Sequence, residues 1–160
     1  MPQQIPCLWF DGRGEEAARL YTSVFPNSSI GDITHYGPDQ PGTEGAVLTV
    51  GFTLDGQPYL ALNGGPQFPF TEAVSFQIMC ADQDEVDHYW NGLLADGGEE
   101  SQCGWLKDRF GLSWQVVPTE LLALTGDPDP ERANRATQSM LTMRKIDIAE
   151  IRRAADTVPA

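Results

Sequence analysis

The spacing of apolar positions changes along the chain, and the changes recur. Ile5 to Phe10 is a short apolar run that reads as a strand. Asp11-Gly12-Arg13-Gly14 marks a turn. From Glu15 to Phe25 the period becomes helical, with Ala17, Leu20, Tyr21, Val24 and Phe25 on one side. Glu15 and Glu16 sit in the first turn, where the helix dipole favours carboxylates. Pro26-Asn27 ends the helix. The same grammar returns about 70 residues later. Val74 to Cys80 alternates as a strand, and Asp82-Gln83-Asp84-Glu85 opens a helix. Val86, Tyr89, Trp90, Leu93 and Leu94 form its apolar face, and Gly97-Gly98 closes it.

The hairpins repeat too. Ala46 to Leu54, Asp55-Gly56, then Pro58 to Leu62 reads as strand, tight turn, strand. Gly104 to Lys107, Arg109-Phe110-Gly111, then Leu112 to Val117 reads likewise. Each returning strand carries an aromatic residue three positions after the turn glycine, Tyr59 and Trp114. Ser29 to Tyr36 predicts a further strand, with a weaker counterpart at Glu99 to Cys103. The chain is therefore predicted to be an α+β fold of two repeated βαβββ modules. Module 1 covers about 4–66, module 2 about 72–118, and a helical tail 119–160, all within one domain of 1–160. A single module exposes a sheet face it cannot bury alone, so two are expected to pair and enclose a cup. The tail predicts helices at Thr119 to Leu124, Glu131 to Met143 and Asp147 to Ala155. Asp127 or Asp129 caps the second, with Pro130 in its first turn.

The charge narrows the partners. The formal charge is −13, and six of the ten basic residues lie in the last 30 positions, so the body is strongly acidic. Nucleic acid is excluded, because phosphate recognition needs clustered Lys and Arg. No apolar stretch approaches the roughly 20 residues that cross a bilayer, and Met1 to Pro6 lacks the features of a signal peptide. A soluble, cytoplasmic protein is expected. Its three cysteines, Cys7, Cys80 and Cys103, have no disulfide or zinc spacing and read as reduced thiols.

A duplicated strand–helix–three-strand unit resembles the vicinal oxygen chelate superfamily, which includes glyoxalase I, bleomycin-resistance proteins and extradiol dioxygenases. Leu8-Trp9-Phe10-Asp11-Gly12, Ala61 to Pro66 and the long run Cys103 to Gln115 resemble its PhnB-like branch most closely, as does Met140 to Ile148. That branch carries the label 3-demethylubiquinone-9 3-methyltransferase. The resemblance implies a cup that holds a small molecule, and commonly a homodimer. The tail, with Met140 and Met143, is then expected to cover the partner copy.

The resemblance also implies where a divalent metal sits in the superfamily's enzymes. The matching positions are about Pro6, Leu60, Ser75 and Gln115. Pro6 and Leu60 offer no side-chain donor, and one neutral amide does not hold a divalent ion. A shift of register brings in Gln77 or Asn63 but no carboxylate or imidazole. No metal site and no cofactor are therefore expected. The residues expected to face the cup are Trp9, Asn63, Gln77, Trp105, Trp114 and Gln115, a set of rings and neutral amides suited to a small, partly aromatic ligand. The rival expectation is a metal-dependent lyase or dioxygenase of the same superfamily, and a third is a purely structural role with a closed, packed cup.

Other candidates are weaker. His35 reads as a structural strand residue, and His88, four after Asp84, as a surface residue. Cys103 with Lys107 nearby could form an activated thiolate, although packing is the plainer reading. Gly12-Arg13-Gly14 is not a dinucleotide fingerprint, since Glu15 and Glu16 would face the pyrophosphate. No glycine-rich turn in a parallel α/β pattern is present for an S-adenosyl cofactor.

Overall fold

The computed structural model describes residues 1–158. The chain forms two compact units, Met1–Phe70 and a second from Thr71 onward. In the first unit, β1 (Cys7–Phe10) leads into α1 (Gly14–Val24), followed by β2 (Ser29–His35), β3 (Val47–Leu54) and β4 (Gln57–Asn63). The sheet order is β1-β4-β3-β2, with β1 parallel to β4 and the other pairs antiparallel.

The second unit repeats the first. It contains β5 (Ser75–Cys80), α2 (Gln83–Leu94), β6 (Glu99–Glu100), β7 (Trp105–Lys107) and β8 (Ser113–Pro118). Its order, β5-β8-β7-β6, is the same pattern with the same parallel pair. The weak signal at Glu99 to Cys103 corresponds to the two-residue strand β6.

Each helix covers one face of its own sheet. Ala17, Ala18, Tyr21 and Val24 of α1 are buried, as are Leu8, Phe10, Val50, Phe52 and Ala61 of the first sheet. Tyr21 and Phe52 are 6.1 Å apart, and Phe52 stacks on Tyr59 at 5.3 Å. In the second unit, Val86, Trp90 and Leu93 of α2 are buried together with Ile78, Cys80, Leu106, Trp114 and Val116. Strand residues of the opposite parity form a second face on each sheet, and these faces carry the candidate site.

Helix starts follow local chemistry. Asp82 caps α2 by accepting from the Glu85 N–H at 2.9 Å, and Glu85 reaches back to the Ala81 N–H at 2.6 Å. α1 has no cap of its own; Asn63 of β4 supplies one, its Oδ1 accepting from the Gly14 N–H at 2.8 Å. A side chain at Gly14 would put Cβ 2.8 Å from that oxygen, so the exchange requires glycine.

The tail forms α3 (Thr119–Thr125), α4 (Pro130–Leu141) and α5 (Ile148–Asp156). Asp129 caps α4, and Asp127 instead accepts from the Asp129 N–H and pairs with Arg132. Leu121, Leu124, Ala136, Ile146, Ile151 and Ala155 bury a small core together with Val117 of β8. Met140 and Met143, partly buried, pack against that core within the same chain. The Gln83 amide bridges tail and module, donating to Ile146 O at 3.0 Å and accepting from the Ile148 N–H at 2.9 Å.

Candidate functional site

The open face of the second sheet holds a polar row. Register places Gln77 of β5 beside Gln115 of β8, and Gln115 beside Trp105 of β7. Gln77 Nε2 donates to Gln115 Oε1 at 3.0 Å, and Gln115 Nε2 donates to Ser75 Oγ at 2.7 Å. The two amides and the hydroxyl form one directed chain, which orients each group and leaves Gln77 Oε1, the Ser75 O–H and further amide N–H groups unspent. Gln77 is exposed, and Gln115 and Trp105 are half-buried. Register therefore brings Trp105, Gln77 and Gln115 together.

Ser75, Ser113 and Lys107 form the adjacent row, Ser113 lying opposite both of the others. The Lys107 ammonium pairs with Glu72, three residues before Ser75. Its hydrogen bond lowers the Glu72 pKa and raises that of Lys107, so both stay charged near neutral pH. Ser113 is 1% exposed, and its Oγ has no hydrogen-bond partner. Sequence reading missed Ser113 and Glu72, and it had weighed Lys107 only as a partner for Cys103. In the structure Lys107 has another partner. Cys103 lies in a turn with φ +56°, its N–H bound to Met143 O at 2.8 Å, while Lys107 is engaged by Glu72.

Two other expected residues occupy different places. Trp114 is 2% exposed and lies on the helix side, tilted against Phe76, with Nε1 donating to Asp108 Oδ2 at 2.9 Å. Strand neighbours point to opposite faces, so Trp114 and Gln115 cannot share one. Asn63 is also buried on the helix side, and both ends of its amide are used, by the Gly14 N–H and by Val47 O at 3.1 Å.

Trp9 lies on the open face of the first sheet, beside Leu62. Its indole N–H donates to Gly65 O at 2.8 Å, and Phe68 meets its ring edge-on at 5.0 Å. The ring covers Gly64, where a Cβ would come within 2.3 Å of it. Two clefts flank this sheet. One of about 480 Å³ is lined by Asp11, Tyr36, Asn63 and Gly65 among others, and one of about 400 Å³ by Gly51, Tyr59 and Leu60 among others.

The positions equated with metal ligands fall into one pair per unit. The Leu60 N–H donates to Pro6 O at 3.0 Å, and Gln115 binds Ser75. The first pair presents no side-chain donor and the second is committed internally, so these residues do not fit a divalent ion. Among the described residues, no three His, Cys, Asp or Glu side chains cluster to hold one. His35 lies at the exposed end of β2, and His88 lies against the Tyr89 ring at 5.0 Å.

The cysteines also differ from one another. Burial and the nearby Glu85 and Asp82 push the Cys80 thiol up to about 12, and burial raises Cys7 as well. Cys80 is thus a protonated core thiol at pH 8. Ellman's reagent at that pH is expected to leave Cys80 unmodified in the folded chain and to reach it only in urea. Native-state labelling of Cys80 at the rate of exposed Cys7 would sink this assignment.

The repeated sheets agree with comparison to known proteins. Residues 2–117 match the family described as 3-demethylubiquinone-9 3-methyltransferase. The chain belongs to this PhnB-like family. A PhnB protein from Bacillus cereus is 33% identical, with a TM-score of 0.67 over 74% of this chain and all of that one (100%). The fosfomycin resistance protein FosX of Listeria monocytogenes is 14% identical, with a TM-score of 0.51 over 74% of this chain and 93% of that one. At that identity the likeness is one of fold alone. A curated cell wall acid trehalase of Arthroderma benhamiae is 27% identical over 89 residues, which is 55% of this chain but 8% of that much longer protein. Among the described residues of this PhnB-like chain, no helix is long and apolar enough to cross a membrane.

Proposed function

We propose that the chain binds a small, flat, partly aromatic molecule on the open face of its second sheet, without a bound divalent metal. One observation carries this reading: the directed Gln77–Gln115–Ser75 row lies beside Trp105 in register. A ring stacks on the half-buried indole, while a carbonyl or amide on its edge meets fixed neutral donors and acceptors. Preorganised groups of this kind lower the ordering cost of binding. The ligand-facing set is then Gln77, Trp105 and Gln115. Asn63 and Trp114 support the folds beneath them. The reading places the protein in the cytoplasm, where its free cysteines stay reduced. It also includes a homodimer, supported by the exposure of Phe68, Val74 and Met79.

Native mass spectrometry of protein purified without chelator tests these points together. The expected result is twice the chain mass, substoichiometric metal and a retained small molecule. One Zn, Ni, Mn or Fe per chain would favour the metal-dependent lyase or dioxygenase instead, and a concentration-independent monomer would remove the dimer. As a direct probe, benzamide is expected to shift the Trp105 indole and Gln115 amide signals in NMR titration. Trp105→Ala and Gln115→Leu should each weaken it by about fivefold to tenfold. Unchanged affinity in both variants would overturn the site.

A further inference from the structure

The second unit carries a polar group that the amide row does not explain. Ser113 Oγ is buried and unpartnered, although buried hydroxyls almost always find a partner. Its place in the sheet shows what surrounds it. β8 lies between β5 and β7, and Ser113 has Ser75 on one side and Lys107 on the other. Alternation puts all three on the open face, because Leu106 and Trp114 are buried on the other.

An ion pair between Glu72 and Lys107 stands at the same row. Glu72 enters ahead of edge strand β5, whereas Lys107 stands on β7, so the pair links the two strands that flank β8. Two strand spacings amount to about 10 Å, which the two side chains together can bridge. Both are partly solvent-exposed, at 60% for Glu72 and 37% for Lys107. An exposed pair of this kind contributes little to stability and opens readily. In the same row as Lys107 are the Ser113 O–H, which no acceptor uses, and the Ser75 O–H, whose oxygen already accepts from Gln115. An ammonium and two hydroxyls thus share one row; the Glu72 carboxylate pairs with the ammonium, and Glu99, opposite Lys107 on β6, adds a second carboxylate beside it.

We propose that Ser75, Lys107 and Ser113 form a carboxylate-binding subsite, that Glu72 occupies it in the resting chain, and that the ligand is an aromatic carboxylate which displaces Glu72. This rests on the ligand face proposed above and adds its charged end. The ring lies on Trp105 and the amide row, and the carboxylate takes the adjacent row. Glu72 holds the donors in place before the ligand arrives, and a neutral analogue that binds the amide row leaves it there. The subsite also allows an acidic protein to accept an anion, since it shields the ligand's charge with a cation and two hydroxyls.

Benzoate and benzamide, matched in shape and differing in charge, test this by NMR titration of the Trp105 indole and the Gln115 amide. Benzoate should bind the native chain more tightly than benzamide does. Glu72→Gln should tighten benzoate about threefold to tenfold and leave benzamide within twofold. Lys107→Met and Ser113→Ala should each weaken benzoate about fivefold. Ser113→Ala removes an orphaned hydroxyl, so its fold is preserved. Lys145→Met, which removes a cation paired with Asp87 elsewhere, controls for net charge and should change nothing. Benzoate that binds no better than benzamide, or is indifferent to Glu72→Gln and Lys107→Met, overturns the subsite and leaves the ligand face standing. Failure of both compounds to move Trp105 overturns the two proposals together.

Discussion

Replacing Asp108 with alanine is expected to cost about 3–5 kcal/mol of stability, the scale seen when a buried charge network loses one partner. Asp108 is 3% exposed and sits at the head of the β7–β8 turn. Its Oδ1 accepts from the Phe110 N–H at 2.9 Å and the Leu112 N–H at 3.1 Å, and its Oδ2 accepts from Trp114 Nε1 at 2.9 Å. Its backbone closes the same turn, with N–H to Leu112 O and C=O from the Gly111 N–H, both 2.9 Å. One carboxylate thus serves three donors, and alanine strands them in a site with no room for bulk water. Asp108→Asn keeps one acceptor but sets an NH₂ against either the indole N–H or the turn amides, so about 2 kcal/mol is expected there. Urea unfolding read by far-UV circular dichroism measures both. A loss below about 1 kcal/mol for Asp108→Ala would show that the network is dispensable. The hairpin this turn closes carries Trp105, Lys107, Ser113 and Gln115, so benzamide affinity should fall with it.

Asp108 also shows why the site was only partly legible in the sequence. The duplicated βαβββ order could be read from period changes and turn residues, because each helix buries one stripe and most strands bury one face. Strand β8 breaks that logic. Five of its six residues are buried, on both faces, so alternation is erased and parity cannot be read from hydrophobicity. Trp114 and Gln115 both looked like ligand residues, although consecutive positions must diverge. What sets the parity is the register with β5, where Gln77 meets Gln115, and the Asp108 bond that commits Trp114 to the helix side. Ser113 was invisible for the same reason: a small hydroxyl between two buried neighbours looks like core. Asn63 is a different case. It stands at the end of β4 next to glycines, a position typical of ligand loops, but its amide caps α1 across 49 positions of chain. Pairings so distant in sequence leave no local pattern.

The Gly104→Ala variant should be almost as damaging as loss of Asp108, and it comes with an internal control. Gly104 has φ +84°, and Gly111, at the other end of the same hairpin, has φ +86°. Alanine at either position pays the left-handed backbone cost, about 1 kcal/mol. Beyond that the two diverge. A Cβ at Gly111 meets nothing within 4 Å, whereas one at Gly104 lies 2.8 Å from Val116 O and 3.2 Å from Ile146 Cγ1. Val116 O is backbone of the central strand β8, whose neighbours on both sides resist a shift. The Gly104 N–H is moreover bound to Arg144 O at 2.7 Å and its carbonyl to the Val116 N–H at 2.8 Å, so the turn cannot slide outward without losing both. About 3–4 kcal/mol is expected for Gly104→Ala, against about 1 for Gly111→Ala. Hydrogen exchange distinguishes the mechanism: the Gly104 variant should lose protection at Cys103, Gly104 and Val116 together, because tail, turn and strand share these bonds. Trp105 follows directly in the chain, so its ring should leave the amide row and benzamide binding should be lost even where the fold survives. Equal destabilisation by the two alanines would mean that only backbone strain matters, and that the Gly104 contact does not position the ligand face.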